Sequence, residues 1–271
     1  MSIILNLGEK MIKRKISGFL LAGLLMLPMQ IEAVEIGDVA HAVNYSGRHR
    51  AFTQRVLKEY AMICLGINYN NPKEKLKEGI AIFEDLIDSL IKYNKDEETA
   101  KSLQEGLKLW APVKKLLGEA PSKENAEKLG IAMEMLTENT NKTTALFAKQ
   151  TGKESGKITN YSGQQRVLSQ KMASLYLLKA YGVTNSEFKG RMDETMKWFA
   201  KNLKTLMAYE KNTEEINKLL KTEKKAFIFF EMMDKNTKTF IPTLIYKKSN
   251  EIFDAANTAT RLYAELGSKE K

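Results

Sequence analysis

The stretch Asn44-Tyr45-Ser46-Gly47-x-x-Arg50-x-x-x-Gln54 returns 116 positions later as Asn160-Tyr161-Ser162-Gly163-x-x-Arg166-x-x-x-Gln170. The same offset, without a gap, pairs Tyr60 with Tyr176, Gly66 with Gly182, Leu90 with Leu206, Tyr93 with Tyr209, Leu103 with Leu219, Asn141 with Asn257, Thr144 with Thr260 and Leu146 with Leu262. A period of this length is a small domain, not the roughly 20–50 residues of a solenoid unit. The chain is therefore expected to hold two domain-sized copies of one design.

The first 33 residues are of another kind. Lys10, Lys13, Arg14 and Lys15 precede an apolar run from Ile16 to Met29, and Ile31-Glu32-Ala33 ends on a small residue. The run is shorter than the ~20 residues a membrane-spanning helix needs, and Pro28 and Gln30 suit a cleavage region. A secretory signal over 1–33, cut after Ala33, is the expectation, with an uncleaved anchor as the alternative and Met11 as a candidate true start. Residues 34–153 and 154–271 then form the two copies, and a periplasmic location follows.

Charge is the next constraint. The formal net charge of +10 includes four basic and two acidic residues of the leader, leaving +8 afterwards. Such an excess favours anionic partners. The lysines, however, alternate with glutamates, as in Lys73-Glu74-Lys75-Leu76-Lys77-Glu78, which describes solvated helix faces and argues against a nucleic-acid surface. Cys64 has no second cysteine to pair with and sits among apolar neighbours, as a buried inert thiol does.

Apolar spacing is helical throughout, for example Ile80, Phe83, Ile87, Leu90 and Ile91. Turn and cap signals divide each copy into four helices, over 38–66, 73–94, 97–117 and 123–150, then 155–181, 186–210, 213–237 and 242–266. The fold class is all-α, as two tandem up-down four-helix bundles. Gly152 to Gly156 leaves so short a link that the fourth helix runs almost directly into the fifth.

On the first helix of each copy, Gly47, Arg50 and Gln54, like Gly163, Arg166 and Gln170, share one stripe, while Tyr161, Leu168, Met172 and Leu175 form a neighbouring apolar one. Glycine permits close approach of another helix, and arginine and glutamine are poor choices for a dry core. If the two stripes face each other, Arg50 and Arg166 converge. Two guanidinium charges ~8 Å apart repel by about 2 kcal/mol at an effective dielectric near 20, whereas an anion ~4 Å from each gains about 4 kcal/mol twice. Arginine also offers a planar fork to an oxyanion and keeps its charge. The opposing reading gives each arginine an interior carboxylate or helix end and makes the motif a packing device.

The motif Tyr161-Ser-Gly-Gln-Gln-Arg-Val-Leu-Ser-Gln-Lys-Met-Ala-Ser, and more loosely Tyr45-Ser-Gly-Arg-His-Arg-Ala-Phe-Thr-Gln-Arg-Val, resembles the ligand-binding helix of PilJ/NarX-type periplasmic sensing domains. These are the four-helix bundles of nitrate/nitrite sensor kinases and of type IV pili methyl-accepting chemotaxis transducers. The resemblance implies that Arg50 and Arg166 hold one small oxyanion, nitrate or nitrite first, within a monomer of pseudo-dimeric repeats. Gly47 and Gly163 allow the approach, and Gln54 and Gln170 line the site. Arg48-His49 stands where the other copy has Gln164-Gln165, so the site is asymmetric, and no transmembrane or output domain follows.

Other features are expected to be structural. His41 and His49 read as exposed histidines with no metal-ligand spacing. Tyr45 and Tyr161 read as core, as do Phe227, Phe229, Phe230, Met232 and Met233. Asn44 and Asn160 fit the glycosylation pattern but lie on packed helices. No nucleophile-base pair, phosphate loop or carboxylate pair points to catalysis, and no cofactor is implied. The expectation is an exported anion-binding sensory protein with a membrane receptor or sensor kinase as possible partner. The alternative is a periplasmic adaptor that docks on a chemoreceptor, sensor kinase or pilus-linked component without a ligand.

Overall fold

The residues between the turn signals do form helices, and the turns explain where each one stops. The computed structural model describes residues 35–183, 186–235 and 239–269; the expected signal sequence lies outside the described residues. Eight helices are found among them: α1 Val39–Cys64, α2 Pro72–Tyr93, α3 Glu97–Leu117, α4 Lys123–Gln150, α5 Glu154–Tyr181, α6 Ser186–Met207, α7 Glu214–Lys235 and α8 Pro242–Lys269. Asp38, Asp96 and Ser122 cap α1, α3 and α4 by accepting from the backbone N–H three residues on. Pro72 and Pro242 open α2 and α8, where a missing N–H costs nothing. Gly182 ends α5 in the left-handed region, φ 92°. None of these helices is long and apolar enough to cross a membrane.

Only residues 151–153 separate α4 from α5, so the junction is tighter than the sequence suggests and Gly156 already belongs to α5. A Cβ on Gly156 would fall 2.0 Å from the Thr151 hydroxyl oxygen, which is why the tight reversal needs a glycine there.

The packing centres on α1 and α5, whose mutual contact is the most extensive in the molecule. Helix α1 also packs on α2 and α4, and α3 lies against α4 and, sparsely, α2. Helix α5 packs on α6 and α8, with α7 against α8 and, sparsely, α6. The outer helices carry a single buried stripe, as in Leu76, Phe83, Leu86, Ile87 and Leu90 of α2. From Ser46 to Met62, by contrast, α1 is buried nearly all round, and α5 likewise from Ser162 to Leu178. These two helices are enclosed yet rich in Ser, Thr, Gln and Asn, so their polar groups must bond one another. They do so at matching positions. The Ser46 and Thr144 hydroxyls are 2.9 Å apart, as are those of Ser162 and Thr260.

Two expectations are corrected. His49 is buried, not exposed, because its ring stacks on Phe83 at 4.1 Å, and Phe83 in turn on Trp110 at 4.2 Å. Met232 is 60% exposed, since it shares the outward side of α7 with Ile228 while Phe227 and Phe230 turn inward. His41 is half-buried and is held by the Asp38 carboxylate at 2.8 Å. Tyr45 and Tyr161 are half-buried and pack against the core.

A candidate anion site between α1 and α5

At the crossing of α1 and α5 the two repeated glycines touch. A Cβ on Gly47 would lie 3.7 Å from the Gly163 Cα, and the reverse holds at the same distance. That approach brings in the arginines one turn further on. The Nη2 atoms of Arg50 and Arg166 are 3.1 and 3.2 Å from the place a Gly163 Cβ would occupy, so they are no further apart than those distances combined. Both side chains are fully buried.

Each guanidinium is held by two asparagines. Arg50 Nη1 donates to Asn160 Oδ1 at 2.9 Å and to Asn141 Oδ1 at 3.2 Å, and its Nη2 donates to the Asn160 carbonyl at 3.3 Å. Arg166 Nη1 donates to Asn257 Oδ1 at 3.0 Å and Asn44 Oδ1 at 3.1 Å, and its Nη2 to the Asn44 carbonyl at 2.9 Å. The arrangement is reciprocal: the arginine of α1 is bound by α5 and α4, the arginine of α5 by α1 and α8. A guanidinium has five N–H donors. Three are used here, and those left are Nε–H, which has no acceptor among the described residues, and the second hydrogen on Nη2.

No carboxylate among the described residues lies within ion-pair distance of either arginine, so the interior-carboxylate reading of the motif finds no support here. Burial pulls Arg50 down to about 9, and burial, the charge of Arg50 and that of Arg48 together pull Arg166 well below its usual value. Both shifts have one physical origin, a positive charge removed from water without a negative one to answer it.

The residues singled out in the sequence fall in different places. Gly47, Gly163, Arg50 and Arg166 come together. Gln54 does not hydrogen-bond either arginine; its Nε2 donates to Thr137 at 2.9 Å and its Oε1 accepts from Ser174 at 2.9 Å, which ties α1 to α4 and α5. Gln170 donates to the Ser249 carbonyl at 3.0 Å. The asparagines Asn44, Asn141, Asn160 and Asn257 were not singled out as site residues, although all four belong to the repeat and that recurrence was the available signal.

Other buried polar groups lie elsewhere. Lys58 is fully buried against the Tyr246 ring, 4.1 Å from its centre, and 3.7 Å from Glu59 Oε1; Tyr246 donates to that same oxygen at 2.9 Å. Burial brings Lys58 down to about 7 and pushes Glu59 up. Glu223 is buried with neither carboxyl oxygen in hydrogen-bond geometry with another described residue, and burial raises it well above the usual carboxylate range, with the nearby Gln165 side chain opposing part of the rise. Cys64 is half-buried, and burial pushes its thiol up to about 11. A cleft of about 1040 Å³ around Lys218 and Glu265 includes none of the arginines or asparagines above. No group of three or more His, Cys, Asp or Glu side chains is arranged to hold a metal among the described residues.

Comparison with known proteins yields no match to a family model, a curated protein or a solved structure.

Proposed function

We propose that this is an exported, non-enzymatic sensory protein of PilJ/NarX-like design, built as two tandem four-helix bundles and binding one small oxyanion between them. On this reading residues 34–153 and 154–271 are duplicated bundles whose first helices meet face to face. The signal over 1–33 delivers the protein to the periplasm. Nitrate and nitrite are the first candidate ligands, and a membrane receptor or sensor kinase is the candidate partner. The observation that carries the reading is the convergence of two buried guanidiniums, each with donors to spare and neither with a carboxylate among the described residues. Asparagine is a telling choice of neighbour, since it orients a guanidinium without neutralising it.

The test is thermal unfolding with sodium nitrate, nitrite, sulfate and chloride, repeated on Arg50→Ala and Arg166→Ala. A ligand at 100 times its Kd stabilises by about 2.7 kcal/mol, and both variants should lose that gain. Equal shifts with all four salts, or shifts that survive in both variants, would overturn the reading.

The adaptor reading has one observation in its favour. A cleft of about 430 Å³ between α6 and α7 is bordered by Met207 and Ile228, 39% and 46% exposed. Between α2 and α3 the Glu84 carboxylate accepts from Trp110 Nε1 at 3.0 Å and Lys114 Nζ at 2.7 Å. Alanines, Ala200 and Ala226, stand 116 positions after Glu84 and Trp110, so α6 and α7 lack that tie. An adaptor shows no anion-specific stabilisation.

A further inference from the structure

The arginine pair is enclosed, so a ligand needs a path to it, and the two flanks of the molecule differ in what they offer. We propose that the anion is captured by, and passes through, a basic cleft on one flank only, at the turn between α4 and α5, where Lys149 and Lys157 receive it and Asn160 passes it to Arg50. This rests on the anion-binding reading above.

The cleft measures about 670 Å³ and is lined by Ala145, Lys149, Lys153, Lys157, Asn160 and Tyr161, with Glu154 its one carboxylate. Neither Lys149 nor Lys157 has an ion-pair partner among the described residues, and both are exposed. Helix α5 starts here with no side-chain cap, and Glu154 in its first turn offsets part of the positive end of its dipole, so the attraction is supplied chiefly by the lysines. A cleft lined by one sign of charge raises the local concentration of the opposite ion and its rate of arrival.

Asn160 joins this cleft to the arginines. It is part of the lining, and its side-chain and backbone oxygens both accept from Arg50. Rotating that single amide exchanges Asn160 Oδ1 for an oxygen of the anion at Arg50 Nη1.

The opposite flank, 116 positions removed, holds Asn44 in the same relation to Arg166 but not the charge. There Arg261 pairs with Glu265, His41 with Asp38, and the Ser268 hydroxyl donates to the second Asp38 oxygen at 2.7 Å. Glu265 stands where the cleft has Lys149, His41 where it has Lys157, and the bulky Arg261 where it has Ala145. One flank attracts an anion and leaves room for it. On the other, Arg261 and His41 each sit against a carboxylate.

The test is a sodium nitrate titration of the full chain followed by NMR at the arginine Nε–H and asparagine side-chain amide signals, whose line shapes yield association and dissociation rates as well as Kd. Lys149→Glu with Lys157→Glu should slow association by about tenfold or more at low ionic strength, a difference that shrinks as salt screens it. Ala145→Trp, at an exposed position, should slow association and dissociation together and leave Kd within about twofold, as expected of a blocked passage. Arg261→Trp, its counterpart, should change neither rate. The proposal is overturned if Ala145→Trp exchanges nitrate as fast as the parent protein, or if Arg261→Trp is the slow variant. A parent protein whose signals ignore nitrate overturns the arginine-pair reading, and the route with it.

Discussion

Asn160 and Asn44 exchange places across the α1–α5 crossing: each accepts, through its side chain and its own carbonyl, from the arginine of the opposite helix. The two arginines are thereby positioned without being neutralised.

Asn44→Asp should convert that neutral contact into an ion pair with Arg166, 3.1 Å away in the parent. The expected outcome is a protein about 1–3 kcal/mol more stable to denaturant, because the added carboxylate gives a buried cation the opposite charge it lacks. Its nitrate-dependent stabilisation should largely vanish, because the carboxylate takes the anion's electrostatic role. Unchanged nitrate affinity in Asn44→Asp would count against a shared anion.

Gly47→Ala should cost about 1–2 kcal/mol in denaturant unfolding. The added methyl would lie 2.8 Å from Arg166 Nη2, and Arg166 is held by three hydrogen bonds and has little room to yield. Gly190→Ala, where nothing lies within 4 Å, should instead stabilise by up to about 1 kcal/mol through helix propensity. Equal effects at the two sites would show that the α1–α5 approach is not tight.

His49 governs the acid side of the stability curve. Burial pushes its imidazole down to about 3 from an ordinary 6.5, so the unfolded chain binds a proton that the folded one refuses. The stability that this neutral imidazole contributes is therefore full above about pH 6.5 and is lost as pH drops toward 3. His49→Gln, which installs the residue found at Gln165, should flatten the Tm profile between pH 6 and pH 4.

Glu223 works on the other side. Its folded carboxyl is raised well above the ordinary 4.5, so the folded protein keeps a proton that the unfolded chain has released. Stability then declines as pH rises from about 4.5 toward the raised value. Glu223→Leu, the residue at the matching position Leu107, should raise Tm at pH 7 and remove most of the decline between pH 5 and pH 7. A variant less stable than the parent at pH 7 would mean that the carboxyl has a partner.

The helix limits were legible because each turn carries its own chemistry, an Asp or Ser cap, a proline at the first helical position or a left-handed glycine, and none of this depends on distant contacts. The arginine and glycine positions were legible for a related reason: a polar stripe on an otherwise apolar helix has to face something. The asparagines were not, because spacing along one helix shows which residues share a face but not which side chain of another helix they meet. His49 was misread on the same account. Single-sided amphipathic reasoning assumes one wet face, and α1 has none over most of its length. For Met232 the composition of Phe227 to Met233 suggested core throughout, although a helix of that length must turn some of those side chains outward.

Both cations of the site belong to one polypeptide, Arg50 on α1 and Arg166 on α5. Dilution cannot pull them apart, and the occupancy of a ligand they share follows the ligand's concentration without regard to the protein's own. An anion held in the proposed way would be bound equally well in a sparsely and a densely stocked compartment.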